Sequence, residues 1–132
     1  MMKNNRRHAD TNFKYYNVNP LHRTEEDCVT RAISLATGIK YQTILKLLSL
    51  IAYRYDCDKL CLCCYRHLLE DVFGYKPHYC DNGETVMDIA EKYKNNKVII
   101  RIDGHLSSSL YGVVNDIWDC TQEEVDVYWI VG

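Results

Sequence analysis

The sequence lacks a long apolar run, an excess of charge of one sign and any low-complexity segment. A bilayer-spanning helix needs roughly 20 consecutive apolar residues, and no stretch of this chain approaches that length. The 16 Lys and Arg are matched by 18 Asp and Glu, for a net charge of −2. Composition therefore predicts neither a nucleic-acid partner nor a membrane. With 47% hydrophobic and 26% charged residues, the chain has ordinary globular composition.

The beginning of the chain also lacks apolar residues that a fold could bury. We expect residues 1–12 to be a flexible tail. Residues 13–132 are expected to form a single domain, because a chain of 132 residues is long enough for one core but not for two. The opening MMKNNRRHADTN has no apolar segment typical of a secretory signal, so the predicted location is cytoplasmic. The oligomeric state stays open.

Helical periodicity dominates the first two-thirds of the chain. The first helix is expected between Asp27, a natural N-cap, and Gly38, which fits the position just after a helix end. A second helix, at about 41–53, is so broadly apolar that we expect it to lie centrally. Two more are predicted at about 58–73 and 84–93.

Strand-forming residues dominate the last third of the chain. Strands are predicted at 97–102, 105–111, 113–118 and 126–131, separated by Asp-Gly and Gly turn signals. A short additional strand is expected within 13–18. Helices followed by strands are typical of the α+β class, so we expect an N-terminal helical part packed on a C-terminal antiparallel sheet.

Cysteine is abundant, with seven residues, and one of them has a distinctive place. In EEDCVTRAISLATG, Cys28 lies on the first turn of the first predicted helix. A free thiol with a pKa of about 8.5 supplies little thiolate at neutral pH, but helix N-terminal amides and a nearby imidazolium lower that pKa. Cys28 is therefore a candidate nucleophile. Glu25, Glu26 and Asp27 would oppose thiolate formation unless they point to solvent.

His105 is the candidate base among the five histidines. It opens a predicted strand directly after an Asp-Gly turn, at the rim of the sheet, where another layer can reach it. A histidine at a strand end can equally be an ordinary surface residue.

The third candidate, Asp116, follows from the strand register. A two-residue turn at Tyr111-Gly112 or at Gly112-Val113 puts His105 on the same face of the sheet as Asp116. With the turn at Tyr111-Gly112, Ser107 faces Asp116 and His105 becomes a diagonal neighbour of Asp116. Asn115 then points to the other face of the sheet. A three-residue turn would bring Asp119 to His105 instead, so the acid is either Asp116 or, in that other register, Asp119.

Three segments carry a resemblance to a known family: NVNPLHRTEEDCVTRAIS (17–34), GHLSSSLYGVVNDIWDC (104–120) and VYWIV (127–131). They resemble papain-like cysteine peptidases, and more closely the small phage-encoded peptidase-like proteins related to bacteriocin-leader-processing peptidases. The resemblance implies a papain-like fold, a protein or peptide substrate, no cofactor, and action in the host cytoplasm. It also implies that Cys28 attacks an amide carbonyl, His105 transfers the proton and Asp116 orients His105.

The oxyanion donors depart from the family pattern. Papain-like enzymes usually carry a glutamine a few residues before the cysteine, and none precedes Cys28. We expect the Cys28 amide to supply one donor and the Asn19 side chain the second, with Arg23 and Thr24 as alternatives. Losing one such donor typically lowers turnover about 100- to 1000-fold.

The run DCDKLCLCCYRH raises the question of a metal site. Cys57, Cys61 and Cys64 share the spacing of one helix face, and Cys63 pairs with His67 at i, i+4. Structural zinc sites usually take cysteines from short knuckles on turns, whereas this spacing is helical. We therefore expect core or interface thiols and no metal ligands, with a metal site as the alternative.

Two other functions stay open. One is a non-catalytic, host-interaction module that binds a protein through a papain-like fold with a vestigial triad. The other is cell-wall hydrolysis, since peptidases of the NlpC type share the Asp-Cys pair. The favoured hypothesis is a cysteine hydrolase that cleaves a peptide, isopeptide or related amide bond through a thioester.

Overall fold

The computed structural model describes residues 13–21 and 27–132. In this part of the chain there are four α-helices, and a π-helical turn, His67–Val72, continues directly from the third. The helices are α1 (Cys28–Thr37), α2 (Tyr41–Tyr55), α3 (Leu62–Arg66) and α4 (Val86–Lys92). None of these helices combines the length and apolarity that crossing a membrane requires. The predicted tail, 1–12, lies outside the described residues.

Six strands form one sheet. They are β1 (Phe13–Tyr15), β2 (Pro77–Tyr79), β3 (Lys97–Ile102), β4 (His105–Leu110), β5 (Val113–Asp116) and β6 (Val125–Ile130). Their order across the sheet is β1-β5-β4-β3-β6-β2. Helices and a sheet that is mainly antiparallel confirm the predicted α+β class.

Two features of the sheet differ from the prediction. The expected short strand near the N-terminus forms, but β1 pairs parallel to β5, so the sheet is not wholly antiparallel. The sequence analysis also missed β2, which is only three residues long and pairs with β6 at an edge. A strand this short carries too few alternating residues to show a period of two.

Helix α1 ends as predicted, whereas α2 and α3 differ. Gly38 has a φ of 76°, the left-handed conformation that glycine adopts freely after a helix. Helix α2 is not central, because Ile44 and Leu48 are its buried residues while Leu50 and Tyr53 are exposed. Helix α3 begins at Leu62 rather than near Asp58, so the preceding residues are not helical.

Both faces of the sheet are covered by apolar packing. Alternation along β3 sends Ile99 to one face and Val98 and Ile100 to the other. The first face packs against α1 and α2, with Ile33 and Trp129 fully buried in that core. The second face packs against α4. The start of α1 therefore lies directly on the central strand β4, which begins with His105.

Candidate active site

The structure brings Cys28, His105 and Asp116 together. Cys28 is the first residue of α1, His105 is the first of β4 and Asp116 is the last of β5. Because α1 packs across β4, the start of the helix reaches the end of the sheet where these two strand termini lie.

The β4–β5 hairpin has the register in which Asp116, and not Asp119, is the acid near His105. Leu110 pairs with Val113 and Ser108 with Asn115, so Tyr111-Gly112 is the two-residue turn. Continuing that register by one residue places Asp116 opposite Ser107, diagonal to His105. Asp119 instead accepts hydrogen bonds from Thr121, and the Asn115 side chain donates to the Val113 carbonyl.

Asp116 holds the ring of His105 by a short hydrogen bond. His105 Nε2 lies 2.6 Å from Asp116 Oδ2, and Asp116 is only 4% exposed. Burial raises the pKa of Asp116, but the hydrogen bond and charge of His105 and the Ile117 backbone N–H outweigh it, so the pKa is lowered. Asp116 is therefore a carboxylate at neutral pH.

The same pair keeps His105 protonated. Burial alone would lower the imidazole pKa, yet the hydrogen bonds to Asp116, Cys120 and Cys28 raise it to about 11. Since Nε2 is bonded to Asp116, Nδ1 is the ring nitrogen left for the Cys28 sulfur. Trp118 packs its ring edge-on against His105, with centroids 5.0 Å apart, and shields it from solvent.

The Cys28 thiol has a lowered pKa. Burial opposes ionisation, but the hydrogen bond from His105, the Leu106 backbone N–H and the imidazolium charge outweigh it. The negative charge of Asp116 acts in the opposite direction but is the smallest of these influences. His105 thus favours the ionised form of Cys28.

A cleft of about 290 Å³ opens over this pair. Its lining combines the reacting groups with apolar side chains: Cys28, Arg31, Leu60, Gly104, His105, Ile117 and Trp118. Leu60 and Trp118 are 41% and 45% exposed, so they offer apolar contact to a bound chain. A larger hollow of about 390 Å³, lined by residues such as Val18 and Lys40, contains none of the three candidate catalytic residues.

A buried ion pair beneath the site was missed at the sequence level. Arg31 Nη1 pairs with Asp27 Oδ1, and Arg31 Nη2 lies 3.8 Å from Asp116 Oδ1. Tyr41 also donates to Asp27, at 2.6 Å. Asp27 occupies the N-cap position of α1 but makes no side-chain cap, because Arg31 and Tyr41 hold its carboxylate instead. The i, i+4 spacing of Asp27 and Arg31 was the signal in the sequence.

The Asn19 side chain belongs to this buried network. Its Nδ2 donates to Asp27 Oδ2 at 2.8 Å and to the Tyr41 hydroxyl at 3.2 Å. Both amide hydrogens are therefore engaged, and Asn19 does not line the cleft. Its role as oxyanion donor stays a prediction that this arrangement does not favour. The alternatives Arg23 and Thr24, with Glu25 and Glu26, lie outside the described residues.

One group of three metal-ligating side chains forms among the described residues: His105, Asp116 and Cys120. Cys120 is fully buried, and its Sγ donates to Asp116 Oδ2 at 3.8 Å. An ion held by both His105 and Asp116 at about 2.0–2.2 Å would push those ligand atoms apart. They are instead in direct contact at 2.6 Å, which fits a hydrogen-bonded pair better than a metal site.

The prediction that Cys57, Cys61 and Cys64 share one helix face was wrong. Cys57 and Cys61 precede α3, whereas Cys63 and Cys64 lie within it. Cys64 is buried, as expected for a core thiol, but Cys61 and Cys63 are exposed.

No family model, curated protein or solved structure matches this chain. A half-buried thiol with a lowered pKa, a protonated imidazole and an orienting carboxylate at the edge of an open cleft can perform nucleophilic acyl transfer.

Proposed function

We propose that this protein is a cysteine hydrolase that cleaves a peptide, isopeptide or related amide bond. The observation that carries the proposal is the placement of Cys28 and His105 in the lining of one open cleft, with His105 hydrogen-bonded to the buried Asp116. A structural thiol needs neither a protonated imidazole nor access to solvent, whereas a nucleophile needs both.

The proposed mechanism uses each group once in each half of the reaction. The Cys28 thiolate attacks the carbonyl carbon, and His105 gives its proton to the departing amine, leaving a thioester. Neutral His105 then takes a proton from water, which attacks the thioester and releases the acid and Cys28. Asp116 keeps the imidazole oriented through both halves.

The first turn of α1 supplies one oxyanion donor in this mechanism. Backbone N–H groups at a helix start have no acceptor within the helix, so the Cys28 amide is directed toward the site where charge develops. The carbonyl oxygen would therefore face the helix start, and the apolar side chains of Leu60 and Trp118 would contact the substrate on either side of the scissile bond.

The same observations support a papain-like fold and origin. A cysteine on a helix start, packed on a mainly antiparallel sheet that carries the histidine and the acid on adjacent strands, is the arrangement that the sequence resemblance implies. We therefore propose a papain-like, phage-encoded peptidase-like protein with a protein or peptide substrate in the host cytoplasm.

Thiol reactivity tests the proposal. We expect iodoacetamide at pH 7 to alkylate Cys28 at least about 10-fold faster than Cys80, because the pKa of Cys28 is lowered and that of Cys80 is raised to about 11. An activated ester such as p-nitrophenyl acetate should acetylate the same residue. Mass spectrometry of digested protein measures both rates. His105→Ala should remove the difference.

His67→Ala is the matched control for that experiment. His67 also pairs with a carboxylate, at 2.8 Å from Asp71, but it does not line the Cys28 cleft. This variant should leave Cys28 reactivity unchanged. Equal labelling of all seven thiols in the wild-type protein would contradict the proposal.

The second candidate is a binding module that retains the triad without turnover. The observation that favours it is the engaged Asn19 amide, which leaves the second oxyanion donor unassigned. If this second function is correct, the Cys28→Ala variant should still bind the same partners and should keep the biological effect of the protein. A hydrolase predicts loss of the effect, with the Cys28→Ala variant trapping uncleaved substrate.

A further inference from the structure

Two exposed thiols approach each other at the start of α3. Cys61 precedes the helix with an extended backbone (φ −88°, ψ 140°), and Cys63 lies in the first turn. The two sulfurs are 2.8 Å apart, and both residues are exposed. A disulfide bond is about 2.05 Å long, so the sulfurs are about 0.75 Å farther apart than bonded sulfurs would be.

The two sulfurs differ in their readiness to ionise. The hydrogen bond from the Cys63 thiol and the Cys63 backbone N–H lower the pKa of Cys61. The same contact, with the neighbouring thiols of Cys57 and Cys61, raises the pKa of Cys63 to about 11. Cys61 therefore ionises more readily and can attack, while Cys63 remains a thiol, as in dithiols that exchange disulfides.

The surroundings favour redox chemistry over metal binding at this pair. The two sulfurs belong to no group of three metal-ligating atoms among the described residues. A structural zinc ion needs four ligands, and two sulfurs in direct contact provide only two. Cys64 is buried beside them and Cys57 is half-buried, so neither is as accessible to an external oxidant.

We propose that Cys61 and Cys63 form a reversible intramolecular disulfide by exchange with a low-molecular-weight disulfide such as oxidised glutathione. The Cys61 thiolate attacks one sulfur of that disulfide, which forms a mixed disulfide and releases one thiolate. Cys63 then loses its proton and attacks the Cys61 sulfur, which releases the second thiol. The protein dithiol is oxidised by two electrons, and the small disulfide is reduced to two thiols.

The pair lies beside the cleft, because the neighbouring residue Leu60 lines it together with Cys28. The Cys28 thiol would compete for the oxidant if it is the nucleophile proposed above. The experiment is therefore run in parallel on the full-length wild-type protein and on Cys28→Ser. A result that is the same in both is independent of the proposed hydrolase function.

The test is oxidation of the reduced protein by oxidised glutathione at graded ratios to reduced glutathione, followed by intact mass and fragmentation analysis. We expect the loss of two hydrogens and a link between Cys61 and Cys63, fully reversed by reduced glutathione. Cys63→Ser should stop at a stable glutathione adduct on Cys61. Cys61→Ser should form no internal disulfide, and its adduct on Cys63 should form at least about 10-fold more slowly.

Cys80→Ser is the matched control, since Cys80 is a half-buried thiol outside the pair and should not affect the result. Three outcomes would overturn the proposal. They are no loss of hydrogens at any glutathione ratio, an internal disulfide that persists in Cys61→Ser or Cys63→Ser, and a link that joins a different pair of cysteines.

Discussion

Arg31 is a buried charged residue beside the candidate site. Its guanidinium is 5% exposed and lies between Asp27, which is 8% exposed, and Asp116. Burial lowers the pKa of Arg31, while the charge of Asp116 raises it. The facing carboxylates offset the desolvation cost of this buried cation. The cation likewise offsets the desolvation cost of the carboxylates. Arg31 thereby joins the N-cap of α1 to the acid that orients His105.

At this residue scale we predict that Arg31→Gln is strongly destabilising. Removing the guanidinium leaves Asp27 as an uncompensated buried charge, which typically costs about 3–5 kcal/mol. Arg31→Lys keeps the charge and should lose less. Urea unfolding measures both. Arg54→Gln, at an exposed arginine, is the control and should change stability by no more than about 0.5 kcal/mol. A change for Arg31→Gln as small as that of the control would contradict the prediction.

At the scale of elements, the β4–β5 hairpin decides which acid meets His105. Its turn residues Tyr111 and Gly112 have φ values of 53° and 88°, the left-handed conformations of a tight two-residue turn. A turn one residue longer would shift the register and turn Asp116 to the other face. The contact between His105 and Asp116 therefore depends on two residues that lie outside the site.

We predict that Gly112→Ala destabilises the protein by about 1–2 kcal/mol, because an L side chain is strained at this φ. The added Cβ would also lie 3.1 Å from Lys94 Cβ. The free energy of unfolding and the rate of Cys28 alkylation are measured together, and both should fall.

Tyr111→Asn is the matched change at the neighbouring turn position. Asparagine tolerates the left-handed conformation better than tyrosine, and Tyr111 is 60% exposed, so little packing is lost. We expect stability to rise by about 0.5–1 kcal/mol. If both substitutions change the free energy of unfolding in the same direction, the left-handed turn conformation does not control the stability of the hairpin.

At the scale of the whole molecule, the buried His105–Asp116 pair links folding to pH. His105 has a raised pKa, so its contribution to stability is complete below its unfolded value of 6.5 and is lost as pH rises toward about 11. Asp116 has a lowered pKa, so its contribution is complete above its unfolded value of 3.8 and is lost as pH falls through the folded value.

We therefore predict a maximum in the stability that the pair provides. With Cys28→Ser in both proteins, so that this thiol does not titrate, the free energy of unfolding of the protein that has the pair, minus that of His105→Ala Asp116→Asn, should be largest between pH 3.8 and 6.5. It should decrease on either side of that window. Urea titrations of both proteins from pH 3 to pH 10 measure it, and a difference that does not vary with pH would contradict the predicted linkage.

Local patterns determined much of this protein from sequence alone. Apolar periodicity placed α1 and α4, and strand propensity placed β3 with its observed ends. The turn signal around Gly112 favoured the register that brings Asp116 near His105, and left Asp119 as the alternative. These features depend on neighbours a few residues apart, so the sequence displays them directly.

Tertiary structure decided the features that depend on distant partners. Helix α2 is broadly apolar yet mostly exposed, because it packs along a narrow stripe, mainly against α1, α3 and the π-helical turn. The Asn19 amide donates its hydrogen bonds to Asp27 and Tyr41. The sulfurs of Cys61 and Cys63 are in contact because α3 starts later than its periodicity indicates. Packing and charge pairing between residues far apart in the sequence select among such arrangements. The periodicity of the sequence shows neither of them.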